Sequence, residues 1–170
     1  MLKAGVIGYG SMGRGTARAF DASPDWELAA VVDVNPALGE AVAAEHPGAR
    51  FEQQPSAVLD DPTIDLVALT TLADARPALL RRCLAAGKHV WTEKPPAPSA
   101  AEEEALLEAI EASDRHVAVN LFNRNAWYHE AARAFIAAGE IGKVAIIRYR
   151  HQTYITVPYA SPAYKLAVWA

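Results

Sequence analysis

Residues 4–13 read Ala-Gly-Val-Ile-Gly-Tyr-Gly-Ser-Met-Gly, a short apolar run that breaks into three glycines at Gly8, Gly10 and Gly13. In a G-x-G-x-x-G turn between a strand and a helix each glycine answers a different need. Gly8 permits the tight turn off the strand, Gly10 lets the backbone approach a pyrophosphate, and Gly13 permits close helix–strand packing. The flanks supply the required context: Ala4–Ile7 reads as a strand and Met12–Ala22 as a helix with Ala17 and Phe20 on its apolar side. Asp33 ends the next apolar run, Glu27–Asp33, about 20 residues beyond the loop, where a carboxylate accepts from the ribose hydroxyls of a dinucleotide. That carboxylate repels a 2′-phosphate, so NAD is preferred over NADP. Arg14 lies close by and reads as a solvated helix residue.

Outward from this loop the alternation continues. A helix is expected over Pro36–His46, a short strand over Ala49–Glu52 and a helical turn over Ser56–Leu59. Strand Asp65–Thr70, helix Arg76–Ala86 closed by Gly87, and strand His89–Thr92 follow. Ser99 and Glu102 form a capping box for a helix to Ala112, and Val117–Val119 is a sixth strand. This order predicts an α/β fold: a doubly wound Rossmann parallel sheet with strand order 3-2-1-4-5-6, spanning residues 1–120. Residues 121–170 change character. A helix over Trp127–Ala138 and an alternating strand over Val144–Thr153 read as the beginning of an α+β domain, within which the chain is expected to stop.

Composition narrows the function classes. Of 170 residues 52% are hydrophobic and 21% charged, a globular balance. The net charge of −4 leaves no basic field for nucleic acid. No run approaches the ~18 apolar residues of a membrane span, and the single Cys83, read as a small core hydrophobe, fits a reducing, cytoplasmic setting. No metal-ligand spacing appears.

The blocks AGVIGYGSMG (4–13), VVDVNP (31–36), DLVALTT (65–71), LAAGKHVWTEKP (84–95) and NLFNRNAWYHEAARAFIAAGEIGKV (120–144) together resemble the N-terminal half of the glucose-fructose oxidoreductase, inositol dehydrogenase and MocA-like family. The EKP tripeptide after AGKHV is the most specific of these. The resemblance implies an NAD(P)-dependent dehydrogenase acting on a hydroxyl or carbonyl of a sugar, cyclitol or related polyol, homo-oligomeric when full length. It puts Lys94 beside the nicotinamide and the substrate carbinol, as the catalytic lysine. Independently, Lys94 follows the fifth strand at the edge where open α/β sheets bind ligands, and a lysine there can polarise or deprotonate an alcohol. Gly8, Tyr9, Gly10, Ser11, Met12, Gly13, Asp33, Thr70, Thr71, Glu93 and Lys94 are the candidate cofactor contacts; Lys94, Asn123, Arg124 and Trp127 are the candidate substrate contacts. Glu93 is expected to orient the lysine or its loop.

Two departures stand out. Where the family usually carries threonine-proline-asparagine and then histidine, Thr71 is followed by Leu72, Ala73, Asp74, Ala75 and Arg76, so the nicotinamide-side loop is altered. The family's catalytic aspartate and histidine come from a segment beyond Ala170. A non-catalytic NAD(H)-binding paralogue, acting as a sensor or partner, and an imine reductase on the same scaffold remain open alternatives.

Overall fold

The computed structural model of the protein describes residues 1–121, 124 and 126–148. Contacts among them divide after Asn120 into two units. The first unit contains strands β1 (Leu2–Ile7), β2 (Trp26–Val32), β3 (Arg50–Glu52), β4 (Leu66–Leu69), β5 (His89–Thr92) and β6 (Val117–Val119). Its helices are α1 (Ser11–Ala22), α2 (Gly39–Glu45), α3 (Ser56–Leu59), α4 (Arg76–Ala85) and α5 (Ala100–Glu111). The strands form one parallel sheet of order β3-β2-β1-β4-β5-β6, as the alternation predicts. The chain winds outward from β1 in one direction, then returns past it to β4, and the two loops that open at this reversal face each other across the carboxyl edge.

Continuous apolar runs make the central strands because a parallel sheet is covered on both faces. Ile7, Val32, Val67, Leu69 and Val90 face one cluster with Leu80, Cys83 and Leu106; Val6, Leu28, Val31 and Ala68 face a second with Ala17 and Val42. Each buried Val or Leu side chain contributes about 1.5–3 kcal/mol. Cys83 is fully buried in the first cluster, and burial pushes its thiol up to about 12, so it is a packing residue and not a nucleophile.

Local signals act where the sequence puts them. At the end of α4, Gly87 adopts φ +72°, its N–H donates to the Leu84 carbonyl and Lys88 N–H to that of Cys83, both at 2.9 Å. This pair of bonds stops the helix and turns the chain directly into β5. Ser99 Oγ accepts from Glu102 N at 3.3 Å and donates to Glu102 Oε2 at 2.9 Å, closing the capping box through the hydroxyl. The Pro36–Leu38 segment departs from expectation by forming a single 3-10 turn, capped by Asn35, before α2 begins.

The second unit contains helix α6 (Trp127–Ala137), which Gly139 follows with φ +77°. The strand expected over Val144–Thr153 is not formed at Val144–Arg148, where Ile146 and Ile147 are 86% and 76% exposed. Alternation alone cannot make a strand: it needs a hydrogen-bonded neighbour, and the described residues of this unit supply none. Residues 149–153 lie outside those described.

Candidate dinucleotide site

The turn after β1 is set by contacts no larger residue allows. Gly8 has φ +97° and donates its N–H to the Val32 carbonyl at 2.8 Å, tying the loop to β2. A Cβ on Gly13 would lie 1.9 Å from the Gly8 carbonyl oxygen, so α1 can start this close to the strand only with glycine there. At Gly10 a Cβ would meet nothing within 4 Å. That open space lies at the N-cap of α1, whose first amides receive no side-chain cap, with Ser11 and Met12 exposed beside it. Free amides and the positive helix end suit a pyrophosphate. From the other side Thr70 Oγ1 donates to the Gly8 carbonyl at 2.6 Å, and Thr70 and Thr71 pack against Gly8.

Asp33 meets this loop directly. Its Oδ2 accepts from Tyr9 N at 2.7 Å and its Oδ1 from Asn35 N at 2.9 Å. A carboxylate has about four acceptor positions, so capacity remains for two ribose hydroxyls. These residues therefore fit the adenosine and pyrophosphate portions of a dinucleotide. The Tyr9 side chain belongs to the core and not to the site: the ring is buried and its hydroxyl donates to Glu45 Oε2 at 3.2 Å. Burial, followed by the Glu45 charge, holds that hydroxyl above its ordinary pKa. Arg14, expected to be solvated, instead bonds Glu45 at 2.6 Å and stacks 5.0 Å over the Tyr9 ring. The reason is tertiary, since α2 brings Glu45 to α1, which helix periodicity cannot reveal.

The other end of the edge is built from side chains. Glu93 N donates to the Leu69 carbonyl at 3.0 Å, holding the end of β5 to β4. Its carboxylate, in a residue only 3% exposed, accepts from Asn120 Nδ2 at 2.6 Å. Lys94, the next residue, is exposed, and the Lys94–Pro95 peptide bond is cis. Arg76, on the first turn of α4, is buried; Nη1 donates to the Pro95 carbonyl at 2.5 Å and Nη2 to the Thr71 carbonyl. Burial lowers the guanidinium pKa, opposed by the charges of Glu93 and Asp74, and the group stays cationic.

The family model described as "Oxidoreductase family, NAD-binding Rossmann fold" matches residues 2–121. The chain belongs to this family. Inositol 2-dehydrogenase of Paracoccus denitrificans is 33% identical over 118 residues, covering 68% of this chain and 35% of that protein. Inositol 2-dehydrogenase 2 of Saccharopolyspora erythraea is 29% identical over 156 residues, covering 89% of this chain and 45% of that protein. A crystal structure of an NAD-binding protein from Listeria innocua superposes with a TM-score of 0.74 at 26% identity, over 84% of this chain and 42% of that one. The chain thus spans less than half the length of these relatives.

Within the family's fold, Gly8, Gly10, Ser11, Met12, Gly13, Asp33, Thr70, Thr71, Glu93 and Lys94 all sit at the carboxyl ends of the four adjacent strands β2, β1, β4 and β5. Arg124 and Trp127 belong to the second unit and are exposed there, and Asn123 lies outside the described residues. Sequence reasoning missed Asn120, whose only signal is its position directly after β6, and saw Arg76 only as a departure from pattern. Among the described residues no group of His, Cys, Asp or Glu is placed to hold a metal ion, and no helix is long and apolar enough to cross a membrane.

Proposed function

We propose that this chain provides the cofactor half of an NAD-preferring dehydrogenase that moves a hydride between the nicotinamide and the carbinol or carbonyl carbon of a cyclitol, sugar or related polyol, in a cytoplasmic setting. The observation that carries this reading is the pairing of an open, uncapped glycine loop with an exposed lysine two strands away on the same carboxyl edge. Bound NAD supplies the hydride acceptor. The chain's own groups hold the cofactor and place a lysine at its reactive end. Gly10 and the first turn of α1 hold the pyrophosphate, Asp33 accepts from the adenosine ribose and selects against a 2′-phosphate, and Thr70 and Thr71 line the middle of the site.

Lys94 handles the proton. An exposed ammonium on this edge donates to the substrate oxygen, polarising a carbonyl during reduction; as the free amine it accepts the alcohol proton during oxidation. Glu93, buried and held by Asn120, fixes the backbone from which Lys94 projects. Arg124 and Trp127 are assigned to the substrate side, with Asn123. Support for a polyol substrate comes from the relatives, two of which are inositol 2-dehydrogenases.

The test is a titration of the protein with NADH and NADPH by fluorescence, followed by NAD reduction in the presence of inositols, hexoses and acyclic polyols. Binding of NADH in preference to NADPH is expected of this chain, and NAD reduction on a polyol is expected when it is joined to a substrate half. A protein that binds neither dinucleotide overturns the reading.

A further inference from the structure

The structure assigns a positioning role to Arg76: its guanidinium clamps the Thr71 and Pro95 carbonyls together and so sets the geometry of the nicotinamide end of the site. The inference rests on the dinucleotide reading above. Gly8 packs against Thr70 and Thr71, and Thr71 is joined through Arg76 to Pro95, the residue after Lys94. One guanidinium thus completes a chain of backbone contacts from the phosphate loop to the proton-handling lysine. The loops it joins leave two different strands, β4 and β5, and have no backbone hydrogen bond to each other beyond Glu93 N to Leu69 O. Without the clamp their separation is set only by the loops themselves.

Stability alone is a poor reason for this arrangement. A buried cation carries a desolvation cost that well-packed apolar residues avoid. Arg76 also keeps its Nε buried with no hydrogen-bond partner among the described residues, an unusual state for a donor in a packed interior. Its charge is offset by those of Glu93 and Asp74, so the clamp and the buried carboxylate beside it are electrostatically linked on this edge. Arginine suits the task because its fork is planar and reaches two acceptors at once; lysine reaches the same region with a single charged group.

The experiment compares NADH with ADP-ribose, which carries the adenosine and pyrophosphate but no nicotinamide, on the parent protein, Arg76→Ala and Arg76→Lys. We expect Arg76→Ala to weaken NADH about tenfold while ADP-ribose binding stays within about twofold, and Arg76→Lys to fall between. Unchanged NADH binding in Arg76→Ala overturns the proposal, and so does an equal loss of both ligands, which marks a general structural role. If Arg76→Ala does not fold, Arg76→Lys and Arg76→Gln decide by the same ratio. A parent protein that binds neither ligand refutes the dinucleotide reading itself, which is a separate outcome.

Discussion

The two ends of the candidate site share one sheet edge and are built by opposite means. The adenosine end is made of backbone. Gly8 and Gly13 place main-chain atoms where side chains would clash, Gly10 leaves open space at the helix end, and its one acidic group, Asp33, is held by two main-chain amides. The nicotinamide end is made of polar side chains, with buried Arg76 and Glu93 and half-buried Asn120 bonding across three strands' ends beside one exposed lysine. Backbone construction gives a rigid, chemically plain cradle suited to a ligand portion that does not react. Side-chain construction lets charge be placed and adjusted around a reacting group, at the cost of burying ions.

The sharpest way to break the first half of this contrast is Gly13→Ala. The new Cβ would meet a backbone oxygen at 1.9 Å, with no flexible side chain to give way. We expect a loss of about 3 kcal/mol or more in urea unfolding, with NADH binding abolished at the concentrations the parent requires. A variant as stable as the parent would mean that α1 can retreat, and that the cradle is not rigid. Asp33→Ala comes next. NADH affinity should fall about tenfold, with the NADPH:NADH affinity ratio shifting towards NADPH. Because the substitution also frees Tyr9 N and Asn35 N, loop loosening will weaken both nucleotides, so the ratio and not the absolute affinity is the readout. An unchanged ratio removes Asp33 from the ribose.

This difference in construction also explains what could be read in advance. A backbone device leaves a spaced glycine signature, and parallel strands leave unbroken apolar runs, so the loop, its acidic partner and the strand order were all legible. Side-chain devices depend on which groups the fold brings together. Lys88 and Lys94 stand in one short block, yet Lys88 is buried with its ammonium donating to the Asp61 and Ile64 carbonyls at 2.5 and 2.8 Å, while Lys94 is exposed. Nothing in residue type separates them. Arg76 and Asn120 are likewise ordinary polar residues until α4 and β6 are placed. The mistaken strand at Val144–Arg148 has the same root, because pairing is a tertiary property that alternation does not carry.

Asn120→Ala probes the second half of the contrast. It removes the donor 2.6 Å from a carboxylate that stays buried, which should cost about 1–2 kcal/mol in unfolding. If the nicotinamide end depends on this network, NADH affinity falls a few-fold and ADP-ribose affinity does not change. Equal effects on the two ligands would show that the ends are mechanically one piece and that the distinction between them fails.

Asp61, at the opposite, amino-terminal edge of the sheet, provides the smallest effect and the needed reference. The Thr63 hydroxyl and amide, with Arg50 adding its charge, lower its carboxyl from 3.8 to about 2. A carboxylate whose pKa is depressed by folding stabilises the protein above its unfolded value, and that contribution disappears as pH falls through the folded one. Parent stability should therefore drop between pH 3.8 and about 2 in a way that Asp61→Asn does not share. The difference should stay under about 1 kcal/mol, since the side chain is partly exposed to screening solvent. At neutral pH Asp61→Asn should leave the NADH:ADP-ribose affinity ratio at the parent value. Parallel acid limbs in the two proteins would show that these hydrogen bonds do not favour the charged carboxylate. A changed ligand ratio would be more serious: a substitution at the far edge would then reach the nicotinamide end, and the ligand effects of Arg76 and Asn120 could no longer be attributed to local positioning.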